Sequence, residues 1–382
     1  MTLLSPSFKV RHLILAVALT TGPGFVNPAN AEIAFLVDLN SRTAIALDTL
    51  GGNESYASGI NDAGQVVGTY YKADFVHYAF ITGPNGIGMR ELDALRGNIS
   101  DAYDINDAGQ VVGRTSTAED SRYHAFITGP NGMGMRDLEM RPVGGEYSIN
   151  DTGQVVGSFG TAEGLSHAFI TGPDGAGMRD LGTLGGSNIS EAYDINNAGQ
   201  VVGRTSTADD RFGDHAFITG PDGRGMRDLG TLDGGIQSYA YGINDAGQVV
   251  GFSTTEGLEP THAFITGPDG MGMRDLGTLG GYSSSAYGIN DAGQVVGYSD
   301  TAGGSEHAFI TGPNGEGMVD LNSLVDLPHG VILTEAAGIN NNGQVIAMGV
   351  IPEPETYALM LAGLGLVGFM ARRKKMENLK RY

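Results

Sequence analysis

Cysteine and tryptophan are both missing from the 382 residues. Without cysteine there is no disulfide and no thiolate metal site, so stability has to come from packed secondary structure. Basic residues are scarce: 22 Lys plus Arg face 43 Asp plus Glu, and between residues 32 and 351 the balance is 14 against 40. A surface of that sign repels phosphate backbones and anionic lipid, which excludes a nucleic-acid-binding role. No 3.6-residue apolar period appears between residues 32 and 350, so helical repeats are excluded as well. The local signatures of common enzymes are lacking too: there is no GxSxG elbow, HExxH pair, P-loop or dinucleotide fingerprint. The 62 glycines follow no Gly-X-Y register, and 41% of the residues are hydrophobic, which leaves a globular chain.

What is present is a segment written seven times, GINDAGQVVG with small edits, once every 44 to 50 residues. Its asparagine stands at Asn61, Asn106, Asn150, Asn196, Asn244, Asn290 and Asn340. A period of this length means one supersecondary unit stacked on copies of itself. In the copy around Asn290, SAYGIN and QVVGYS read as two strands joined by NDAG, a type I turn whose glycine supplies the positive φ of a G1 bulge. That glycine recurs as Gly64, Gly109, Gly153, Gly199, Gly247, Gly293 and Gly343. HAFIT and MVDLNSL, joined by GPNGEG, add two more strands. Four strands in about 46 residues is the size of a propeller blade.

The last copy has only its first two strands before the C-terminal segment begins. Residues 32–50 supply the missing half, with Ala34-Phe35 matching the Ala-Phe of HAF and Leu47 to Leu50 matching the DLGTL strand. The expected fold is therefore all-β: a seven-bladed β-propeller of four-stranded blades, about 28 strands, closed by pairing N-terminal strands with the C-terminal half blade. An open array of hairpins is the structural alternative.

Both ends read as addresses. Residues 1–31 have a basic start (Lys9, Arg11), an apolar centre from Leu13 to Leu19 and a small-x-small site at Ala29-Asn30-Ala31, the pattern of a secretory signal peptide. Residues 351–382 hold Pro352-Glu353-Pro354, an apolar run from Tyr357 to Ala371 and Arg372-Arg373-Lys374-Lys375. The run is expected to form a single transmembrane helix over 357–371, with the basic cluster cytoplasmic and residues 32–350 outside.

The order Pro352-Glu353-Pro354, apolar helix, Arg372-Arg373 resembles the PEP-CTERM sorting signal of Gram-negative bacteria. The resemblance implies an exosortase-type processing enzyme as partner, cleavage near Pro352 to Pro354, transient residence in the inner membrane and release to the cell surface or extracellular polysaccharide matrix. The repeats resemble those of bacterial extracellular HAF-repeat proteins, whose His-Ala-Phe, DLGTLGG-like and GIN-x-x-GQVVG elements all recur here. The His-Ala-Phe histidines are His77 (with Tyr78 inserted), His124, His167, His215, His262 and His307. That resemblance implies export and a repeat fold, and it brings no catalytic residues.

The histidines stand at a symmetric position, yet separate blades cannot converge three or four ligands on one metal, so each is expected to bond a turn or neighbouring strand. The Asn-Asp-x-Gly turns offer oxygens but lack the acidic ladder of a dedicated Ca²⁺ loop, so no cofactor is expected, with weak Ca²⁺ association as the alternative. Copies differ most in the connections from second to third strand. The densest aromatic group there, Tyr70, Tyr71, Phe75 and Tyr78, makes Tyr70, Tyr71 and Phe75 the candidate ligand face, since exposed rings stack on sugars. The expected function is an exported, non-enzymatic structural or binding module at the cell surface, with exopolysaccharide as candidate partner. A glycan-active propeller lyase or hydrolase and a Ca²⁺-dependent adhesin are the alternatives.

Overall fold

The computed structural model describes residues 32–350, apart from 48, 53, 73–75, 93–98, 117–122, 140–145, 186–188, 208–212 and 329. Within these lie 28 strands in seven four-stranded antiparallel sheets, each a simple up-and-down meander. Blade 1, for instance, runs Glu54–Ile60, Val66–Tyr71, His77–Ile81 and Arg90–Glu91 from the axis outward. The inner strands of blades 2 to 7 are Ser100–Ile105, Ser148–Ile149, Ser190–Ile195, Ser238–Ile243, Gly280–Ile289 and Ile332–Ile339. Blade 7 is composite: Glu32–Asp38 pairs with Gln344–Val350 along its whole length, from Glu32 opposite Val350 to Asp38 opposite Gln344, and Thr43–Ala46 forms the outer edge. The expected closure is thus present, with the outer strand slightly earlier in the chain than Leu47 to Leu50. The fourth strand of blade 6 is likewise shorter than the sequence suggests, only Val319–Asp320 before a turn of 3-10 helix. The expected C-terminal helix lies outside the described residues; among those described, no helix is long and apolar enough to cross a membrane.

Strand alternation makes the HAF-I segment pack both ways. In blade 1, Ala79 and Ile81 join a core with Ala102, Ile105 and Phe126 of blade 2, while Phe80 turns to Ala34, Leu36 and Ile346 of blade 7. The third-strand phenylalanines Phe35, Phe80, Phe126, Phe169, Phe217, Phe264 and Phe309 are all essentially inaccessible. Each contributes roughly 1.5–3 kcal/mol by burial alone. The threonine after each HAF-I motif binds the second strand: Thr82, Thr128 and Thr171 Oγ1 accept from Val66, Val111 and Val155 N–H at 2.8 Å.

The repeated histidines tie third strand to fourth. His124, His167, His262 and His307 Nδ1 lie 2.7–2.9 Å from Asp137, Asp180, Asp275 and Asp320, and His215 pairs with Asp228 at 2.9 Å. Burial would raise the Asp228 carboxyl, but its bonds to His215 and the Gly230 N–H hold it below the ordinary range. Blade 1 carries Glu91 where the others have Asp, and His77 Nε2 instead lies 3.2 Å from Asp101 of blade 2. The arginine before that acidic residue reaches the next blade, where Arg90, Arg136, Arg179 and Arg227 donate to the carbonyls of Asn131, Asp174, Asp222 and Asp269.

Candidate functional site

The inner strands surround an axial channel, and the repeated Asn-Asp pair builds its narrow end. Each asparagine donates Nδ2–H to the backbone carbonyl of its counterpart one blade on: Asn61 to Asn106, Asn106 to Asn150, Asn150 to Asn196, and so through Asn340 back to Asn61, at 2.9–3.3 Å. A second ring lies beside it. The N–H of Asp62, Asp107, Asp151, Asn197, Asp245, Asp291 and Asn341 each donates to Oδ1 of the next member, 2.8–3.1 Å away. Five carboxylates therefore crowd this mouth, and the two asparagines relieve it. Asn197 Nδ2 bridges Asp151 and Asp245, and Asn341 Nδ2 bridges Asp291 and Asp62. Asp107, with no such bridge, has its carboxyl raised by burial and by the charges of Asp62, Asp151 and Asp245. Among the described residues no group of three or more His, Cys, Asp or Glu is arranged to hold a metal ion.

One level further in, Ser148 of blade 3 sits between Asp104 of blade 2 and Asp194 of blade 4, its Oγ 2.8 Å from a carboxyl oxygen of each. Asp104 also accepts the N–H of Ile105 and Ile149, and Asp194 those of Ile195 and Ile243. A hydroxyl has one proton to give. With both carboxyls in contact with it, one of them must donate, so the trio holds a proton. Burial pushes Asp104 up to about 6, and burial plus the Asp104 charge pushes Asp194 up to about 7. All four carboxyl oxygens accept hydrogen bonds, and those from Ser148, Ile149 and Ile243 join blades 2 to 5, which makes this trio the floor of the chamber above it.

The chamber occupies about 800 Å³. Tyr103, Tyr193, Tyr241 and Tyr287, each three residues before a ring asparagine, line it together with Tyr147, Asp104, Asp194, Glu146, Glu335 and Arg114. A β-bulge explains how neighbours such as Tyr103 and Asp104 both reach the lumen: the register between first and second strand shifts there in blades 1, 2, 4, 5, 6 and 7. Blade 3 pairs Ser148 and Ile149 without a shift, and its Tyr147 is only 3% exposed, packed with Val112, Val155 and Phe169 where alanines sit elsewhere. The rings of Tyr193, Tyr241 and Tyr287 form an arc, with centroids 5.3 and 5.5 Å apart. Burial raises all four channel-facing phenols, keeping them neutral.

Two carboxylates of the wall, Glu146 and Glu335, have no hydrogen-bond or ion-pair partner in the described structure. Burial and the charge of Glu191 raise Glu146; burial and the charges of Glu306 and Glu32 raise Glu335. Arg114, which also lines the chamber, is held by partners: its Nε donates to Asp101 at 2.7 Å, and its guanidinium lies over Tyr123 at 4.3 Å and over the chamber's own Tyr103 at 5.8 Å.

The sequence-based ligand face requires correction. Tyr70 is 1% exposed, its hydroxyl bonded to Glu91 at 2.5 Å and its ring stacked on Tyr78, so it presents no free face to a sugar. Tyr71 is half-buried against Tyr56 and His77, and Phe75 lies outside the described residues. So do Pro352, Glu353, Pro354, Arg372 and Arg373. The repeat pattern does not mark the chamber residues, because strand periodicity shows neither which strand is innermost nor where a bulge lies. A signal existed in the variation just before the invariant Ile-Asn, where Tyr alternates with Ser58 and Ala337 and Asp alternates with Ser148 and Gly.

Comparison with known proteins adds three findings. Residues 350–374 match the PEP-CTERM protein-sorting motif, which indicates export through a membrane-anchored, exosortase-processed intermediate. No curated protein matches the chain by sequence. Among solved structures, the chain is similar to the β-propeller domain of the Trilobed protease from Pyrococcus furiosus, which has an open velcro topology (11% identity, 78% of this chain and 89% of that one, TM-score 0.53). It is also similar to a prolyl endopeptidase (10% identity, 73% and 44%, TM-score 0.53) and a puromycin hydrolase (14% identity, 76% and 52%, TM-score 0.50). At such identities these likenesses speak to fold alone. The chain is thus a closed seven-bladed propeller carrying an export and sorting motif at its C-terminal end.

Proposed function

We propose that this protein is a non-catalytic binding module displayed at the cell surface or in the extracellular polysaccharide matrix of a Gram-negative bacterium, and that its axial chamber is where it holds a matrix glycan. The observation that carries this reading is the tyrosine arc of blades 4 to 6 lining an open chamber in a chain sorted to the exterior. Aromatic faces stack on sugar rings, and rigid sheets hold them in place. The resemblance of the repeats to HAF-repeat proteins implies export and a repeat fold, which agrees with display outside the cell. Weighed against it is a glycan-active enzyme, which Glu146 and Glu335, carboxyls raised above their ordinary range, favour.

The test is retention of the propeller, residues 32–350, on the producing organism's own exopolysaccharide, with and without Ca²⁺, while reducing ends are assayed. Retention without cleavage is expected, and Tyr241→Ala with Tyr287→Ala should weaken it about tenfold. Release of reducing ends would establish the enzyme instead, and retention abolished by chelation would establish the Ca²⁺-dependent adhesin. Deleting residues 352–382 should change the cell fraction in which the protein is found; an unchanged distribution would count against the sorting role.

A further inference from the structure

We infer that the chamber selects a cationic ligand, an amine-bearing stretch of glycan whose ammonium groups lie between the tyrosine faces and the carboxylates of Glu146 and Glu335. The inference rests on the binding-module reading and adds the ligand's charge to it.

Three independent features converge. The first is uncompensated charge. Glu146 and Glu335 come from blades 3 and 7, on different sides of the channel, and neither has a partner among the described residues. Arg114 does not neutralise them, because Asp101 holds its guanidinium. A ligand that excludes water from such a chamber leaves these carboxylates costly unless they take up a proton or the ligand supplies positive charge. The second feature is aromatic surface. Cations are attracted to the faces of neutral aromatic rings, by about 0.5–2 kcal/mol each depending on desolvation. The half-buried rings of Tyr193, Tyr241 and Tyr287 line the chamber, and Tyr147, 3% exposed, lines the same wall with a hydroxyl that has no partner among the described residues. The third is size: about 800 Å³ falls within the range of small-molecule sites and is too small to take in a folded domain. The acidic ring at the narrow end adds potential of the same sign, so an anionic glycan is repelled at both ends of the channel.

The test compares glucosamine oligomers with the same oligomers fully N-acetylated, which share a backbone and differ in charge. Binding to the propeller, residues 32–350, whose sheets and both asparagine and aspartate rings close within that span, is measured by calorimetry at pH 6. The amine form is expected to bind about tenfold more tightly or better, the size of one good ion pair or cation–π contact. Substituting Glu146→Gln and Glu335→Gln together should bring the two forms within about twofold of each other, with circular dichroism confirming an unchanged fold. Equal binding of both forms, tighter binding of the acetylated form, or an unaffected double variant would overturn the inference, as would no binding of either oligomer. Retention on the native matrix separates the two claims: if it persists in those cases, the binding module stands without its charge preference, and if it is lost as well, the module itself falls.

Discussion

At the scale of single residues the channel floor makes the sharpest claim, because its hydrogen bonds can be counted. Asp104 and Asp194 both touch the one hydroxyl of Ser148, so the folded state retains a proton that the unfolded chain has released by pH 5. The sign follows from linkage. Both folded pKa values are raised above the unfolded value of 3.8, so the folded state binds more protons between about pH 4 and 7, and stability from this trio falls as pH rises through that window. Asp194→Asn is expected to lower stability at every pH, since an amide cannot accept from both Ile195 and Ile243 N–H, and also to flatten its pH dependence. Urea midpoints at pH 5.5 and 7.5 check this: the parent should gain on the order of 2 kcal/mol on acidification from this trio, and the variant distinctly less. Above pH 5 the test is free of Asp101 and Asp228, whose carboxyls are lowered despite burial by their histidine or arginine partners and whose contribution is lost only in stronger acid. Equal slopes in parent and variant would mean that the proton is not held there.

At the scale of the strand, the second-strand glycine shows how a repeat encodes a bulge. The Cβ that alanine would add at Gly203 falls 1.9 Å from the carbonyl oxygen of Glu191, and Gly113 and Gly251 meet the same obstacle at Asp101 and Tyr239. The bulge that turns Tyr193 and Asp194 into the channel brings that carbonyl over the second strand, so the glycine and the channel-facing pair are one device. Gly203→Ala is accordingly expected to cost about 2–4 kcal/mol, in the range of strong core overpacking, and to loosen the chamber beside Tyr193. A fall in the urea midpoint checks the first effect, and weakened matrix retention the second. Alanine tolerated without loss would mean that the bulge relaxes freely. Much of this architecture was legible in the sequence. The NDAG turn calls for positive φ at Gly64, Gly109 and Gly199, and their φ angles are 71°, 75° and 73°. Blade number, four strands to a blade and closure follow from the period and from Ala34-Phe35. The bulge was not legible, because a residue added to one strand leaves no local mark beyond a period one unit longer. Only the 44-residue spacing to Asn150 betrays the blade that lacks it. Tyr70 misled for a related reason: an aromatic beside a variable loop looks exposed until Glu91, on the outer strand, is seen to bind its hydroxyl.

At the scale of the whole molecule, stability depends on a ring that has to be closed. Seven asparagine amides pass one hydrogen bond from blade to blade, and the step from Asn340 to Asn61 joins residues 279 apart in the chain. That step is made from blade 7, which Glu32–Asp38 completes from the opposite end of the sequence. Its alternating side chains serve two cores: Phe35 and Val37 face blade 6 through Val296 and Ile310, and Ala34 and Leu36 face blade 1 through Val66 and Phe80. Removing residues 32–46 takes away both outer strands of blade 7, exposes the edge of Gln344–Val350 and leaves Val345, Ile346 and Ala347 uncovered. An apolar strand with free N–H and C=O groups recruits another chain. A protein of residues 47–350 should therefore self-associate on size exclusion, and its melting temperature should fall by about 10 °C or more, several kcal/mol for a domain of this size. Adding the excised segment, residues 32–46, as a peptide should restore the monomer and part of the thermal stability, because the seam is made only of strand pairing and side-chain burial. If the truncated protein instead melts with the parent and stays monomeric, the asparagine ring closes without the N-terminal strands and the seam does not govern stability.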